Sequence, residues 1–218
     1  MWQEWYINGM YSLHPCQSME EMTMNIIVDT RQQKGKHPEV EDLERKGHNI
    51  IWCRMPVGDY CVTTSKFNAM QYIRKKEDAV NKMCHGTDKV SEPIYEDVLG
   101  TYSVAVDSKQ DMKELASNLL CTSYGKRYRF ERELQRAVHL HIRLYIVVAD
   151  DAFNRFEELE GYKGINNSDG YGTAMLDKMT EYHNKYGCRF VLCKKNQLAD
   201  VIEQYLACDP DRDDAMYM

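Results

Sequence analysis

The stretch RLYIVVAD, residues 143–150, constrains the fold most strongly, because its apolar residues run continuously. Successive side chains of a β-strand point to opposite faces of the sheet, so such a run indicates a strand that is covered on both faces. The segments 127–141 and 173–187, which precede and follow it, carry apolar residues at helical spacing. Strands that alternate with helices in this way predict an α/β domain with a mixed central sheet flanked by helices.

The rest of the chain continues this alternation. Short apolar runs that end in polar or turn residues predict strands, and amphipathic segments with Gly or Asn at an end predict helices. The further predicted strands are NIIVDT (25–30), NIIWCRM (49–55), the strand after the turn in PVGDYCV (56–62), VAVDSK (104–109) and CRFVLCK (188–194). The further predicted helices are HPEVEDLERKG (37–47), DMKELASNL (111–119) and NQLADVIEQYLA (196–207), the last with Asn196 as its cap.

The chain is long enough, at 218 residues, for one well-buried domain. We expect this domain at 25–207, with an insertion at about 63–101 that separates two strands. Residues 1–24 show no clean period and form an uncertain N-terminal lead-in, whereas the acidic stretch 208–218 predicts a frayed tail.

Composition argues against a membrane or secreted protein. No apolar run approaches the ~18 residues of a membrane span, and the N terminus lacks the pattern of a secretory signal. Eight scattered cysteines without such a signal predict reduced thiols in the cytoplasm. The net charge is −6 at pH 7, yet one segment forms a local basic surface. Its basic residues are Lys126, Arg127, Arg129, Arg132, Arg136 and Arg143.

Three acidic residues occupy comparable places, because Asp29, Asp59 and Asp107 all lie at or near the ends of apolar strands. Lys109 is two residues beyond Asp107, so both side chains point to the same face. Carboxylates are hard ligands for Mg²⁺; the metal stabilises charge on a phosphate and lowers the pKa of bound water, and a lysine can orient that water. Three strand-end acids with a neighbouring lysine are therefore the minimal set of catalytic residues for a metal-dependent nuclease.

The structural context, rather than the acid-x-Lys motif itself, singles out the Asp107–Lys109 pair. The same acid-x-Lys spacing occurs at Glu44–Lys46 and at Asp111–Lys113. Both of those pairs lie on predicted helices, where residues two apart do not share a face. Only the pair at the end of VAVDSK follows a strand.

The basic segment permits two interpretations. Its helix carries arginines that would contact DNA phosphates in a salt-dependent and sequence-independent way. The residues assigned to this contact are Arg127, Arg129, Arg132 and Arg136. The alternative is a solvated face paired with Glu131 and Glu133, and Glu133 would otherwise point back towards the acids.

Five motifs occur in one order along the chain: IIVDTRQ (26–32), PVGDY (56–60), VAVDSK (104–109), RYRFERELQRA (127–137) and YGCRFVLCKKNQLADVIEQYL (186–206). Together they resemble the nuclease domain of XPF-type structure-specific endonucleases, in the compact form seen in phages and prophages. The resemblance implies a restriction-endonuclease-like fold and DNA cleavage with a divalent metal. Asp29 and Arg31 match the family's VDxRE motif, Asp59 its GD motif, and Asp107 and Lys109 the acid and base of its ERK motif.

Four positions depart from the family pattern. Gln32 stands where the family prefers Glu, Ser108 replaces the Arg of ERK, Asp107 replaces its Glu, and Lys113 replaces a following acid. Gln32 and Ser108 favour a rival hypothesis, a non-catalytic DNA-binding subunit of the same fold. A second rival is an α/β protein unrelated to DNA, in which the acids are solvated surface.

The leading prediction is a Mg²⁺- or Mn²⁺-dependent DNA endonuclease that recognises branched or flapped DNA by shape. Asp29, Asp59 and Asp107 would arrange metal and water, and Lys109 would position the nucleophile. Arg31 would contact a phosphate or brace the acids. The resemblance also implies a homodimer and the cytoplasm of a bacterial or phage-infected cell.

Overall fold

A computed structural model describes residues 23–32, 37–63, 98–121, 126–164 and 167–207, without the side chains of Lys126 and Arg127. Nearly all of the lead-in, most of the insertion, the acidic tail and the predicted contact of Arg127 therefore lie outside the described residues. No helix in the described ranges is long and apolar enough to cross a membrane.

The described ranges contain six strands, five α-helices and two 3₁₀ helices. The strands are β1 (Asn25–Asp29), β2 (Asn49–Cys53), β3 (Tyr60–Val62), β4 (Val104–Lys109), β5 (Arg143–Ala149) and β6 (Arg189–Cys193). The α-helices are α1 (Pro38–Arg45), α2 (Met112–Leu120), α3 (Lys126–His139), α4 (Tyr171–Tyr186) and α5 (Leu198–Ala207), and the 3₁₀ helices are Phe156–Gly161 and Lys195–Gln197.

The strands form one mixed sheet in the order β2-β1-β3-β4-β5-β6. Strand β3 is antiparallel to its neighbours β1 and β4, and the other paired strands are parallel. The C-terminal ends of β1 and β4 and the start of β3 therefore meet at one edge of the sheet.

Both faces of the sheet are buried. Helices α2, α3 and α4 cover one face, where Ile27, Ala105 and Ile146 lie, and helices α1 and α5 cover the other, where Val106 and Val147 lie. The apolar residues of β5 divide between the two cores, which accounts for the continuous run in its sequence. The predicted mixed sheet flanked by helices is confirmed.

Three details of the helices differ from the sequence prediction. Helix α3 ends at His139 rather than at residue 141, because His141 adopts a left-handed conformation with φ 55°. Helical spacing also predicts Val138 on the apolar face of that helix, but Val138 is 48% exposed. Asn196 is not the cap of α5, because it lies inside the 3₁₀ helix Lys195–Gln197 that precedes it.

Candidate active site

The three strand-end acids stand in one row across β1, β3 and β4. Val28 is paired with Tyr60, and Tyr60 with Val106, and each of the three acids is the chain neighbour of one of these paired residues. Backbone hydrogen bonds join the row: the Asp29 amide donates to the Asp59 carbonyl at 2.8 Å, and the Asp59 amide to the Val106 carbonyl at 2.7 Å. Residues far apart in sequence thus become lateral neighbours.

Asp107 and Lys109 form a buried ion pair. Asp107 is 3% exposed and Lys109 is 7% exposed. The Lys109 Nζ donates to Asp107 Oδ1 at 2.6 Å and lies 5.6 Å from the centre of the Phe130 ring. Asp107 Oδ2, although also 2.6 Å from Nζ, accepts no hydrogen bond of good geometry.

The acids give this site an excess of negative charge. Burial raises the pKa of Asp107; Lys109 opposes that shift, and repulsion from Asp59 and Glu133 adds to it. Burial opposes the charge of Lys109, but attraction to Asp107 and Asp59 outweighs it and raises the pKa of that lysine. Both groups therefore favour their protonated forms, as expected where acids outnumber bases.

Asp59 is held by Ser108, the residue that replaces the Arg of the family's ERK motif. Asp59 Oδ2 accepts from the Ser108 amide at 2.9 Å and from its hydroxyl at 3.1 Å. The hydroxyl thus takes a positioning role on the middle acid. This role could have been inferred from the sequence, because Ser108 lies between Asp107 and Lys109 on the strand beside Asp59.

Arg31 braces Asp29 in this structure. Its Nε donates to Asp29 Oδ2 at 2.7 Å, its Nη2 contacts the same oxygen, and its amide donates to Oδ1 at 2.9 Å. Nη2 also donates to the Met55 carbonyl at 2.9 Å. The hydrogen bond to Asp29 is the largest cause that raises the pKa of Arg31. Of the two predicted roles, the described contacts are those of a brace.

Helix α3 turns Glu133 towards the acids. Glu133 Oε1 accepts from the Gly58 amide at 2.9 Å. Arg136 donates from Nε to the Pro56 carbonyl at 3.0 Å, whereas Arg132 donates to the Tyr128 carbonyl of its own helix at 3.2 Å. Arg129 is exposed.

The neighbouring acid Glu131 faces helix α4. It accepts from the Lys185 ammonium at 3.1 Å and from the Tyr186 hydroxyl at 2.6 Å. Both acids that would have neutralised the arginines of α3 therefore have partners elsewhere.

The residue types at this edge fit a divalent cation. The carboxylates offer hard oxygen ligands, and Asp107 Oδ2 has no hydrogen-bond partner. Mg²⁺ or Mn²⁺ would bind such oxygens and neutralise the excess negative charge of the site. Within the described ranges, however, no three His, Cys, Asp or Glu side chains are arranged as a ready metal-binding group. A cation bound here would have to draw carboxylates away from their present partners.

One helical acid-x-Lys match has a structural role of its own, and the other lies on the far side of the sheet. Asp111 is the N-cap of α2, and its Oδ1 accepts from the Glu114 amide at 2.7 Å. Glu44 lies near the end of α1, on the opposite side of the sheet from helices α2 to α4.

Comparisons with known proteins agree with this geometry. The profile of the ERCC4 domain matches residues 28–205. A solved structure described as "XPF from Aeropyrum pernix, complex with DNA" is similar, with a TM-score of 0.50, 16% sequence identity, and 86% of this chain and 69% of that chain covered. A search of curated proteins found no match.

The fold is therefore that of the XPF-type nucleases, a mixed restriction-endonuclease-like sheet with flanking helices. The chain belongs to the ERCC4 domain family, and its domain is an XPF-type endonuclease domain. A structure-specific DNA nuclease, or a DNA-binding relative of one, is the class that these findings define.

Proposed function

We propose that this protein is a Mg²⁺- or Mn²⁺-dependent DNA endonuclease that hydrolyses phosphodiester bonds in branched or flapped DNA. The observation that carries the proposal is the row of Asp29, Asp59 and Asp107 beside a buried lysine. Membership of the ERCC4 family supports the nuclease class, and the DNA bound to the similar XPF structure supports DNA as the substrate.

Each residue has a distinct part in this chemistry. Asp29, Asp59 and Asp107 would hold the cation, which stabilises charge on the phosphate and lowers the pKa of a bound water. Lys109 orients the attacking water and offsets negative charge that develops on the phosphate. Arg31 and Ser108 keep Asp29 and Asp59 in place. Burial beneath α3 excludes bulk water from Asp107 and Lys109 and strengthens their electrostatic effect.

Cleavage of flap, fork and junction DNA tests the proposal. We expect the protein to cut at least one of these in Mg²⁺ or Mn²⁺ and not in a chelator. Linear duplex should be cut more slowly. Asp59→Asn should slow cleavage by about 10²-fold or more, because a neutral amide is a weaker ligand than a carboxylate. The matched control is Asp177→Asn on α4, away from the row; cleavage by Asp59→Asn at the control's rate would contradict the assignment.

The arginine face of α3, formed by Arg129 and Arg132, is tested by measuring how DNA binding depends on salt concentration. In the double variant Arg129→Ala/Arg132→Ala, the slope of log K against log salt should fall by about two, because each lost phosphate contact removes about one unit. Binding is measured without divalent metal, so that cleavage does not interfere. Arg45→Ala on the opposite face of the sheet is the matched control. An unchanged slope in the double variant would exclude this face.

A non-catalytic DNA-binding subunit is the second candidate. It is favoured by the partners that each acid already has: Arg31 for Asp29, Ser108 for Asp59 and Lys109 for Asp107. Metal-independent binding of branched DNA by a protein that cuts none of the substrates would support it. A homodimer and a cytoplasmic location stay predictions.

A further inference from the structure

The turn that precedes Asp59 is held by side chains at three successive residues. The Pro56 carbonyl accepts from Arg136, the Val57 carbonyl accepts from the Tyr102 hydroxyl at 3.1 Å, and the Gly58 amide donates to Glu133. Short turns usually satisfy such groups with water or with their own backbone. Here two of the three partners come from helix α3.

This turn sets the place of the middle acid of the row. Gly58 has φ +77°, and a Cβ at this position would lie 2.8 Å from Ala105 Cβ and 3.1 Å from the Val106 carbonyl oxygen. The turn therefore lies directly against β4, and Asp59 follows it at once. A shift of the turn would move Asp59 relative to Asp107.

One face of α3 contacts both Lys109 and the turn that precedes Asp59. Phe130, Glu133 and Arg136 follow one another at intervals of three residues, so they lie on one side of the helix. Phe130 packs against Lys109, while the other two hold the turn. Arg129 and Arg132 are exposed on the same helix.

We infer that Glu133 and Arg136 are positioning residues that fix the Pro56–Gly58 turn and, through it, Asp59. This inference rests on the proposed nuclease function. It assigns Arg136 to the turn rather than to a DNA phosphate, and Glu133 to a main-chain amide rather than to a metal. Helix α3 thereby carries both the exposed Arg129 and Arg132 and the residues that contact the acid row.

The role of Glu133 is tested by comparing two substitutions. Glu133→Gln keeps an oxygen that can accept from the Gly58 amide, so kcat should stay within about threefold of the original protein. Glu133→Ala removes the acceptor, and kcat should fall at least tenfold with KM for DNA unchanged, because a small displacement of a reacting group costs about that much or more. A metal ligand would behave differently, since Gln would then lose as much activity as Ala.

Hydrogen exchange at the Gly58 amide gives a readout that needs neither metal nor DNA. Exchange should become at least tenfold faster in Glu133→Ala and should stay near its original rate in Glu133→Gln. The amides of β5 serve as an internal control for global unfolding. Equal exchange at Gly58 in all three proteins would overturn the inference for Glu133.

The role of Arg136 is tested by separating turnover from affinity. Arg136→Ala should lower kcat at least tenfold while the DNA dissociation constant and its salt slope stay unchanged. Arg136→Gln retains an N–H donor and should recover part of the lost turnover. Arg129→Ala should show the opposite pattern, a weaker affinity with a shallower salt slope. An Arg136→Ala protein that behaves like Arg129→Ala would overturn the inference for Arg136.

Failure of the inference and failure of the nuclease proposal give different results. If the original protein cuts no DNA, the nuclease proposal fails, whereas Gly58 exchange and the salt slope of Arg136→Ala still judge the positioning role. If it cuts DNA and Glu133→Ala has unchanged turnover and exchange, the positioning role of Glu133 fails alone.

Discussion

Lys109→Met is expected to reduce DNA cleavage by about 10³-fold or more and to destabilise the fold. Cleavage is lost because no other described side chain places a cation on Asp107, and water loses its orienting group. Stability is lost because Asp107 stays buried without its partner; breaking a buried ion pair in this way costs about 3–5 kcal/mol. Protonation of Asp107, whose pKa is already raised, should limit the cost to the lower end of that range. Urea unfolding and single-turnover cleavage measure the two effects.

A double variant separates the two effects of that substitution. Asp107→Asn/Lys109→Met has no buried charge at the pair, so it should unfold at a higher urea concentration than Lys109→Met while remaining inactive. Lys113→Met on α2 is the matched control, because Lys113 belongs to the helical acid-x-Lys match and is exposed. Its free energy of unfolding should change by no more than about 0.5 kcal/mol. Cleavage by Lys109→Met within tenfold of the original rate would contradict the catalytic assignment.

Gly58→Ala is the second change with a large expected effect. An Ala at φ +77° costs about 1–2 kcal/mol of backbone strain. Its Cβ would also overlap Ala105 Cβ at 2.8 Å, and such overpacking adds about 1–3 kcal/mol. The turn can relieve the overlap only by moving away from β4, which displaces Asp59. We therefore expect a loss of about 2–5 kcal/mol in the free energy of unfolding and a fall in cleavage of about 10²-fold.

Two other glycines with positive φ provide matched controls for that prediction. Gly47 at φ +89° and Gly100 at φ +72° have nothing within 4 Å of a built Cβ. Gly47→Ala and Gly100→Ala should therefore show the strain alone, with normal cleavage. Adding Ala105→Gly to Gly58→Ala removes the nearest overlapping atom and should recover part of the lost activity. A Gly58→Ala protein as stable and active as Gly47→Ala would show that the turn has room to move.

The local patterns predicted most of the elements correctly because the forces behind them are local or nearly so. Burial on both faces makes β5 recognisable as a continuous apolar run, and the end of α4 follows from Gly187, which adopts a left-handed conformation at φ 68°. Asn196 shows where such signals fail, because a 3₁₀ turn occupies the place of the predicted cap. Capping preferences of under about 2 kcal/mol are readily overridden by the packing of the helix that follows.

Local sequence patterns are enough to identify the side chains that are available for chemistry. Alternation along β4 places Asp107 and Lys109 on one face, and the strand context separates this pair from the two helical matches. These properties depend on residues a few positions apart, so they can be recognised without knowing the rest of the fold.

Which of those side chains meet depends on the packing of the whole fold. The row of Asp29, Asp59 and Asp107 exists because β3 lies antiparallel between β1 and β4, and pairing between strands that are distant in the chain leaves no local pattern. The same holds for Glu133, which reaches an amide 75 positions away in the chain. The Gly-Asp turn before β3 is therefore held by three side chains that are distant in the chain, namely Tyr102 and, on α3, Glu133 and Arg136.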